Sequence, residues 1–448
     1  MNRYSLSFLT AGLSLGAPLS LLRAEVSAGQ TKPETRQETP STLTLARSGA
    51  SYLNLSLITD VAAGASTERD AGTVQMGGHD PAQRGFTVQG AELVLEGYVD
   101  NYFRAMSNIV YGLNTHGESY LELEEVYVET LALPNGLQLK AGHYFTEFGR
   151  INAQHPHSWD FVDAPLVSAR FLGPDGLRNP GARLSWLVPT PFYSEFYVGV
   201  QNSAGETAHS FRGVAEGEGG HDHGHDHHGM DPYGRPAVET GVHGIGDLLY
   251  TARYAASVDL TDTQTFLAGL SGAWGPNATG DGARTQLYGV DLFWKWKPAS
   301  HNKGFPFVSF QTEMLFRGYT AARAELEHGE GEHMHIHVLP RETVWDWGAY
   351  AQASYGFKEG WVASLRADYV APLERGSYEG LLHGARDESR AIRWRVSPAL
   401  TWYPTEFSRI RLQYNYDHGN GGVAGFRDAH SVWLQIEFLL GSHGAHKF

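Results

Sequence analysis

Histidine is concentrated in two short runs whose spacing suits metal binding. The first run, HDHGHDHHG at 221–229, contains His221, His223, His225, His227 and His228 together with Asp222 and Asp226. The second run, HGEGEHMHIH at 328–337, contains His328, His333, His335 and His337. Neutral imidazole binds Zn²⁺, Cu²⁺ and Ni²⁺, and spacings of one or two residues let several rings reach one ion. Both runs therefore predict capture of a divalent metal.

The alternative for these runs is a solvated low-complexity loop without a ligand. Asp and Ser would keep a loop equally polar, so the density of histidine favours metal capture. The residues do not select zinc over copper or nickel, because the Irving–Williams order favours copper. Capture should weaken below about pH 6, where imidazoles with a pKa near 6.5 hold their protons.

A third group of candidate ligands lies in residues 147–178, which contain fewer glycines and more aromatic residues. His155, His157 and Asp160 lead to the hypothesis of an ordered metal station inside a pore, with His143 near by. The alternative is that the aromatic residues and charges of this segment simply pack it against a wall. Sequence alone leaves both interpretations open.

Composition limits the partners and the compartment. The chain has 448 residues, 22 histidines, no cysteine and a formal net charge of −15. The acidic balance argues against nucleic acid as a partner, and the lack of cysteine excludes a disulfide scaffold and thiolate metal sites. Residues 1–24 resemble a secretory signal peptide, and residues 25–50 are predicted to be a flexible lead-in. After the signal no apolar run is long enough to predict a membrane-spanning helix.

Apolar and polar residues alternate with period two from residue 51 to residue 440, which is typical of strands with two different faces. In FSRIRLQYNYD at 407–417, Ile410, Leu412 and Tyr414 alternate with charged or polar residues. Sixteen such segments begin near residues 51, 84, 101, 119, 136, 179, 192, 246, 263, 284, 305, 343, 360, 391, 407 and 430. A β-sandwich would also alternate, but its strands have about five or six residues, and these are about twice as long.

Short turns and long polar loops alternate between the segments. This pattern predicts an all-β fold, a transmembrane antiparallel β-barrel of about 16 strands with short periplasmic turns and long extracellular loops. The histidine-rich loops at 204–245 and 321–342 then lie on the same, outer side. Residues 147–178 form a candidate constriction loop, and residues 441–448 form a C-terminal tail.

The polar parity of the strands places charges of both signs inside the barrel. The predicted pore-lining residues are Arg366, Arg393, Arg395, Arg409, Arg411, Glu92, Glu96, Glu125 and Glu129. A charge on the lipid face would cost about 2–4 kcal/mol at the bilayer midplane, whereas a watery lumen accepts it. The alternative is an interior closed by salt bridges.

Three stretches, 85–105, 137–166 and 171–189, and the ending GSHGAHKF carry a family resemblance. They resemble the histidine-rich, zinc-regulated outer-membrane proteins of Gram-negative bacteria, often catalogued as TonB-linked receptors. The resemblance implies location in the outer membrane and a role in zinc entry under zinc scarcity. A TonB-dependent receptor has 22 strands and a plug, which require about 650 residues. A porin-like protein is therefore expected, and coupling to TonB is not.

The function expected from these observations is uptake of divalent metal, zinc first, with the histidine loops capturing the ion at the pore mouth. The alternatives are a general or anion-selective porin with incidental loops, and a surface metal-binding or adhesive barrel with a closed lumen. Motifs such as HExxH, the P-loop and G-x-S-x-G are absent from the sequence, so no enzymatic activity is expected. Expected partners are outer-membrane lipid, divalent metal ions and the assembly machinery, and a homotrimer is compatible with the sequence. No resident cofactor is expected, because Zn²⁺ is the ion transported or captured.

Overall fold

The computed structural model describes residues 43–49, 51–213, 235, 237–238, 241–328, 335–373, 390–420 and 425–441. The strands are β1 (Leu43–Ser48), β2 (Ser51–Ser66), β3 (Gly85–Tyr98), β4 (Phe103–Leu113), β5 (Ser119–Thr130), β6 (Leu137–Phe145), β7 (Arg178–Leu187), β8 (Tyr193–Asn202), β9 (Leu248–Thr261), β10 (Gln264–Pro276), β11 (Arg284–Trp296), β12 (Phe307–Ala321), β13 (Ala324–His328), β14 (His335–Leu339), β15 (Glu342–Lys358), β16 (Trp361–Pro372), β17 (Arg393–Thr405), β18 (Ser408–Gly419) and β19 (Asp428–Gly441). One α-helix, α1, spans Leu166–Leu172, and short 3-10 turns span Ala71–Thr73, Pro134–Gly136, Pro156–Ser158 and Ile245–Asp247. No helix in these ranges is long and apolar enough to cross a membrane.

Sixteen of the strands form one closed antiparallel barrel. Strands β2 to β12 pair in sequence, β12 pairs with β15, and β15 to β19 again pair in sequence. Pairing of β19 with β2 closes the sheet, with Ser431 opposite Ser66 and Gly441 opposite Ser56. Closure satisfies the backbone groups that an open edge would leave unpaired. The predicted fold class is confirmed, and every barrel strand begins within two residues of its predicted start.

The outer face of the barrel is apolar. Leu400, Leu412 and Leu434 are opposite one another on β17, β18 and β19, and all three are exposed. Their sequence neighbours Arg411 and Gln413 point inward and are buried. An exposed apolar belt on a closed sheet is stable only against lipid, so the barrel spans a membrane.

Two short pairings lie outside the predicted strands. β1 falls in the predicted flexible lead-in and pairs with the start of β2, with Leu43 opposite Leu55. It pairs with residues 51–55 of β2, which precede Ser56, the residue at which the ladder with β19 ends. β1 therefore satisfies backbone groups of β2 that β19 does not reach. The loop predicted at 321–342 contains the hairpin β13–β14, in which His328 is opposite His335.

The predicted signal peptide and residues 442–448 of the predicted tail lie outside the described residues.

We expect Leu412→Arg to destabilise the barrel in lipid vesicles by about 2–4 kcal/mol, because Leu412 lies near the middle of a strand on the lipid face. The free energy of unfolding, measured in phosphatidylcholine vesicles, tests this. Leu412→Ala is the control, since it shortens the side chain without placing a charge in lipid. Similar values for the two variants would contradict the assignment of this face to lipid.

Candidate metal centre

The segment between β6 and β7, residues 146–177, lies inside the barrel, and we call it the inserted loop. The Ile151 amide donates to Glu313 on β12 at 2.8 Å, and the Leu166 amide donates to Asp368 on β16 at 3.1 Å. On another wall of the barrel, His155 lies 2.7 Å from Glu124 on β5. The inserted loop therefore crosses the interior and bonds to several walls.

Apolar side chains hold the inserted loop on one side of the interior. Its buried members are Phe148, Ile151, Leu166, Val167, Phe171 and Leu172, which pack against inward-facing residues of β9 to β12, β15 and β16. Burial of each such side chain stabilises the fold by about 1.5–3 kcal/mol. Helix α1 is apolar around most of its circumference, as expected of a helix without a solvent face. Gly149 has φ +62, and a Cβ there would lie 2.1 Å from the Glu313 carboxylate, so only glycine fits this approach.

The Asp163 carboxylate anchors the inserted loop to the adjoining wall formed by β16, β17 and β18. It lies 2.6 Å from the Arg366 guanidinium and 3.0 Å from that of Arg395. The side-chain amides of Gln413 and Asn415 also donate to it, at 2.9 and 2.6 Å. The side chain is fully buried, so these charges interact at low effective dielectric and cannot be replaced by water.

The arginines around Asp163 determine its protonation. Burial alone would raise the pKa of Asp163, but Arg395, Arg366 and the donated hydrogen bonds lower it to about 2. A lowered carboxyl pKa stabilises the folded state above the ordinary value of about 4, and the stabilisation is lost as the pH falls toward 2. The anchor is therefore fully formed at neutral pH.

The predicted pore-lining arginines face the interior, but they contact loops rather than open water. Arg409 and Arg411 both donate to the Trp159 carbonyl, at 3.0 and 2.7 Å. Arg393 and Arg395 donate to the Val74 carbonyl in residues 67–84, the loop between β2 and β3. The guanidiniums of these four arginines and of Arg366 are buried against inserted backbone, and their role as pore lining stays a prediction.

A β-bulge places two consecutive carboxylates inside the barrel. Asn108 on β4 is opposite Glu125, whereas Ile109 is opposite Leu123, so Glu124 is the extra residue on β5. A bulge of this kind changes the direction of a side chain. Glu124 and Glu125 are consequently both buried in the interior, although strict alternation would place one of them in lipid.

The inserted loop brings two imidazoles to these carboxylates. His155 lies between them, with Nδ1 2.7 Å from Glu124 and Nε2 2.9 Å from Glu125. His157 Nδ1 lies 3.0 Å from Glu92 on β3, and its ring stacks on that of His155 with centroids 5.5 Å apart. Two of the three predicted station residues therefore meet the acidic wall formed by β3 and β5.

Glu92, Glu124 and His155 form a candidate three-ligand metal site. One potential ligand atom of each lies within 4.8 Å of the other two. Two carboxylates and an imidazole are a usual donor set for Zn²⁺ and for other divalent transition metals. The Asn108 amide nitrogen donates to Glu124 at 2.6 Å and to Glu92 at 3.3 Å. It therefore lies between the two carboxylates, where a cation would bind. An ion bound there would have to displace this amide.

The carboxylates determine the charge of His155 in the absence of a metal. Burial alone would lower the pKa of His155, but the charges and hydrogen bonds of Glu124 and Glu125 raise it well above its usual value. The cluster therefore forms an ion-pair network without metal, and a bound ion would replace the proton. The same three side chains can anchor the loop and bind a cation.

Asp160, the third residue of the predicted station, and His143, predicted to be near by, both lie elsewhere. Asp160 accepts from Ser354 at 3.0 Å and lies 3.4 Å from the Gln352 amide, both on β15. His143 is opposite Val126 on the adjacent strand, and directly paired residues share one face of a sheet. Since Val126 is on the outer face, so is His143. Asp160 points to a different wall because the loop crosses the interior between residues 157 and 160.

Several predicted residues cannot be placed. His221, His223, His225, His227, His228, Asp222, Asp226 and His333 lie outside the described residues. His328, His335 and His337 are described by the backbone of β13 and β14 alone.

The remaining predicted interior residues are buried or half-buried. Glu96 and Glu129 both pair with Arg104 near the short-turn end, at 2.9 and 3.1 Å.

Sequence reasoning missed Glu124 and His79 as members of this cluster. The apolar parity of β5 changes from odd at Leu121 and Leu123 to even at Val126 and Val128, and such a change indicates a bulge. This signal would have placed Glu124 inside. His79 gave no comparable signal, because its position depends on residues 67–84 folding into the interior.

A closed sixteen-stranded sheet, an apolar outer belt and an inserted loop define a membrane-spanning β-barrel of the porin type. Two solved structures share the fold: the outer membrane channel DcaP of Acinetobacter baumannii, with a TM-score of 0.52 and 11% identity over 87% of this chain and 97% of that one, and the anion-selective porin from Comamonas acidovorans, with a TM-score of 0.50 and 9% identity over 87% and 99%. The fold is thus that of Gram-negative outer-membrane barrels, which confirms the predicted location.

Sequence similarity identifies a family. The chain is 30% identical over 388 residues to a protein of Aquifex aeolicus (strain VF5) described as "Uncharacterized protein", covering 83% of this chain and 73% of that protein. The chain belongs to the same family as that protein. No family model matches it.

We expect Asp163→Asn to release the inserted loop, because it removes the loop carboxylate that Arg366 and Arg395 share, and breaking a buried ion pair costs about 3–5 kcal/mol. The two arginines keep their pairs with Asp368 and Asp417 on the barrel wall, so the loss falls on the attachment of the loop. The thermal unfolding midpoint should fall, and single-channel conductance in planar bilayers should rise. Asp160→Asn is the matched control, since it removes a carboxylate from the same loop whose hydrogen bonds are to the neutral side chains of Gln352 and Ser354 on β15. Equal effects of the two substitutions would show that Asp163 is not the anchor.

Proposed function

We propose that this protein is an outer-membrane, porin-like barrel for uptake of divalent metal ions, with zinc as the principal cargo. It would be exported by its N-terminal signal and act without catalysis. The observation that carries the proposal is the Glu92–Glu124–His155 site, formed where the inserted loop meets the acidic wall. A buried set of metal-ligating side chains in the interior of a barrel gives a cation a defined position between the two sides of the membrane.

Acidic side chains continue from this site toward the short-turn end. Glu125 lies directly after Glu124, and Glu129 follows four residues later on the same face of β5. Glu96, which is part-exposed, and Glu129, which is buried, flank Arg104 inside the barrel. An ion leaving the candidate site toward the periplasm would therefore pass carboxylates on β3 and β5. The basic wall of β16 to β18 is occupied by the inserted loop.

Zinc is the preferred cargo for chemical and family reasons. The donor set is nitrogen and oxygen without sulfur, which suits Zn²⁺ and disfavours Cu⁺. The resemblance to histidine-rich, zinc-regulated outer-membrane proteins points the same way. The histidine-rich runs at 221–229 and 328–337 would raise the local concentration of the ion at the outer mouth.

An anion-selective porin is the second candidate, because five arginines are clustered on β16 to β18 and a porin of that selectivity shares the fold. This candidate is weaker, since Arg366 and Arg395 are paired with Asp163 and Arg409 and Arg411 donate to Trp159. Reversal potentials in a KCl gradient separate the two candidates. Strong chloride selectivity together with no zinc flux would favour the anion porin.

Glu92→Gln and His155→Gln should each lower zinc flux into liposomes at least tenfold at low micromolar zinc. Each removes one charged or nitrogen ligand while keeping side-chain size and hydrogen-bonding capacity, and even outer-shell changes cost 10–100-fold in metal affinity. The measurement is the initial rate of fluorescence of a zinc indicator inside proteoliposomes. Potassium conductance of the same samples should change little.

Glu195→Gln is the matched control for these variants. Glu195 is an interior carboxylate on β8 that accepts from Tyr193 at 2.7 Å, away from the candidate site. It should leave zinc flux at the wild-type rate. Unchanged zinc flux in Glu92→Gln and His155→Gln would exclude the site from the cation path.

Joint deletion of residues 217–230 and 327–338 should lower zinc uptake by cells under zinc scarcity, because the ion is no longer concentrated at the mouth. Channel conductance in planar bilayers should stay intact, since the barrel strands are untouched. The control replaces the same histidines with serine at constant loop length. If uptake is the same as in wild type, the loops do not gather the ion.

A further inference from the structure

A third imidazole, His79, approaches the candidate site from the other side of Glu124. We propose that Glu124 bridges two adjacent cation positions, one with Glu92 and His155 and a second with His79. This inference rests on the metal-uptake function proposed above. The second position would receive the ion from the outer side and pass it to the first.

His79 is held with one nitrogen directed at Glu124. Its Nδ1 lies 3.1 Å from the Gln89 carbonyl oxygen, and the Gln89 side chain donates back to the His79 carbonyl at 2.6 Å. A ring nitrogen bonded to a backbone carbonyl carries the proton and leaves the other nitrogen as a metal ligand. Gln89 also donates to the Val162 carbonyl at 3.0 Å, which joins this arrangement to the inserted loop.

The two atoms that face each other across the second position lack hydrogen bonds. His79 Nε2 lies 3.7 Å from Glu124 Oε1, and neither atom has a hydrogen-bond partner among the described residues. His79 is only 7% exposed, so solvent does not satisfy the nitrogen. His79 Nε2 is a buried nitrogen without a hydrogen-bond partner, which is costly, and a cation bound between it and Glu124 Oε1 would satisfy it.

Asp175 lies on the outer side of the same imidazole. Its Oδ1 is 3.9 Å from His79 Nε2, and it is more exposed than either His79 or Glu124. Gly78 permits this approach, because a Cβ there would lie 1.8 Å from the Asp175 carboxylate. An ion entering from outside would therefore meet Asp175 first, then His79 and Glu124.

Arg178 is the competing cation at this position. Its Nη1 lies 3.2 Å from Glu124 Oε1, and the same guanidinium also pairs with Glu122. A metal ion at the second position would displace Arg178 from Glu124, and Arg178 would keep its pair with Glu122. Because Glu124 offers Oε2 to the first position and Oε1 to the second, one carboxylate can hold ions 3.5–4 Å apart, as in two-metal sites.

Anomalous diffraction from crystals of the full chain soaked in ZnCl₂ tests the proposal directly. We expect two zinc peaks, one on each side of the Glu124 carboxylate. A single peak among Glu92, Glu124 and His155 would overturn the second position and leave the proposed function standing. Absence of both peaks, with zinc present elsewhere in the crystal, would overturn the inference and the metal centre together.

Variants give the same test in solution by bound zinc per chain after dialysis. His79→Gln should lose one equivalent relative to wild type, and Glu124→Gln should lose two. His116→Gln is the matched control, because it removes an exposed imidazole from the turn before β5 and should lose none from the cluster. Equal zinc content in His79→Gln and His116→Gln would refute a role for His79 as a ligand.

Discussion

The buried ion pairs of Asp163 with Arg366 and Arg395 are the interaction on which the interior arrangement depends. Apolar packing around α1 could hold the inserted loop in several similar positions, because the hydrophobic effect is not directional. A carboxylate that accepts from two guanidiniums and three side-chain amides is directional, and it holds the loop backbone at Asp163 in one position. With the loop held in this way, His155 and His157 contact the wall formed by β3 and β5.

The wall of β3 and β5 and the wall of β16 to β18 differ in charge, and the inserted loop binds to both. The arginines of β16 to β18 bind the backbone and the carboxylate of the inserted loop, whereas the glutamates of β3 and β5 bind its imidazoles. The loop thus neutralises both walls at once. The acidic wall can bind a cation, because the imidazoles that contact it can exchange a proton for a metal ion. The guanidiniums of the other wall cannot do so.

The barrel was predictable because its strands follow one local rule, alternation between lipid and interior. Leu412 and Arg411 show why this works: each residue's environment depends on its parity and on nothing distant. His155 and His157 were predicted to be ligands from their type and position, and the structure brings them to Glu124 and Glu92. Their role as ligands stays a prediction. Asp160 was not separable from them in sequence, because three residues of loop suffice to turn a side chain toward another wall.

The sequence by itself determined the closed sheet, its strand starts, its lipid face and the chemical types available inside. Tertiary structure decided which of these side chains meet. Glu124 faces inward only because a bulge adds one residue opposite β4, and His79 reaches it only because residues 67–84 fold over the inserted loop. Alternation is a local property written into neighbouring residues. A cluster of ligands from four separate segments is set by long-range packing, which no short stretch of sequence encodes.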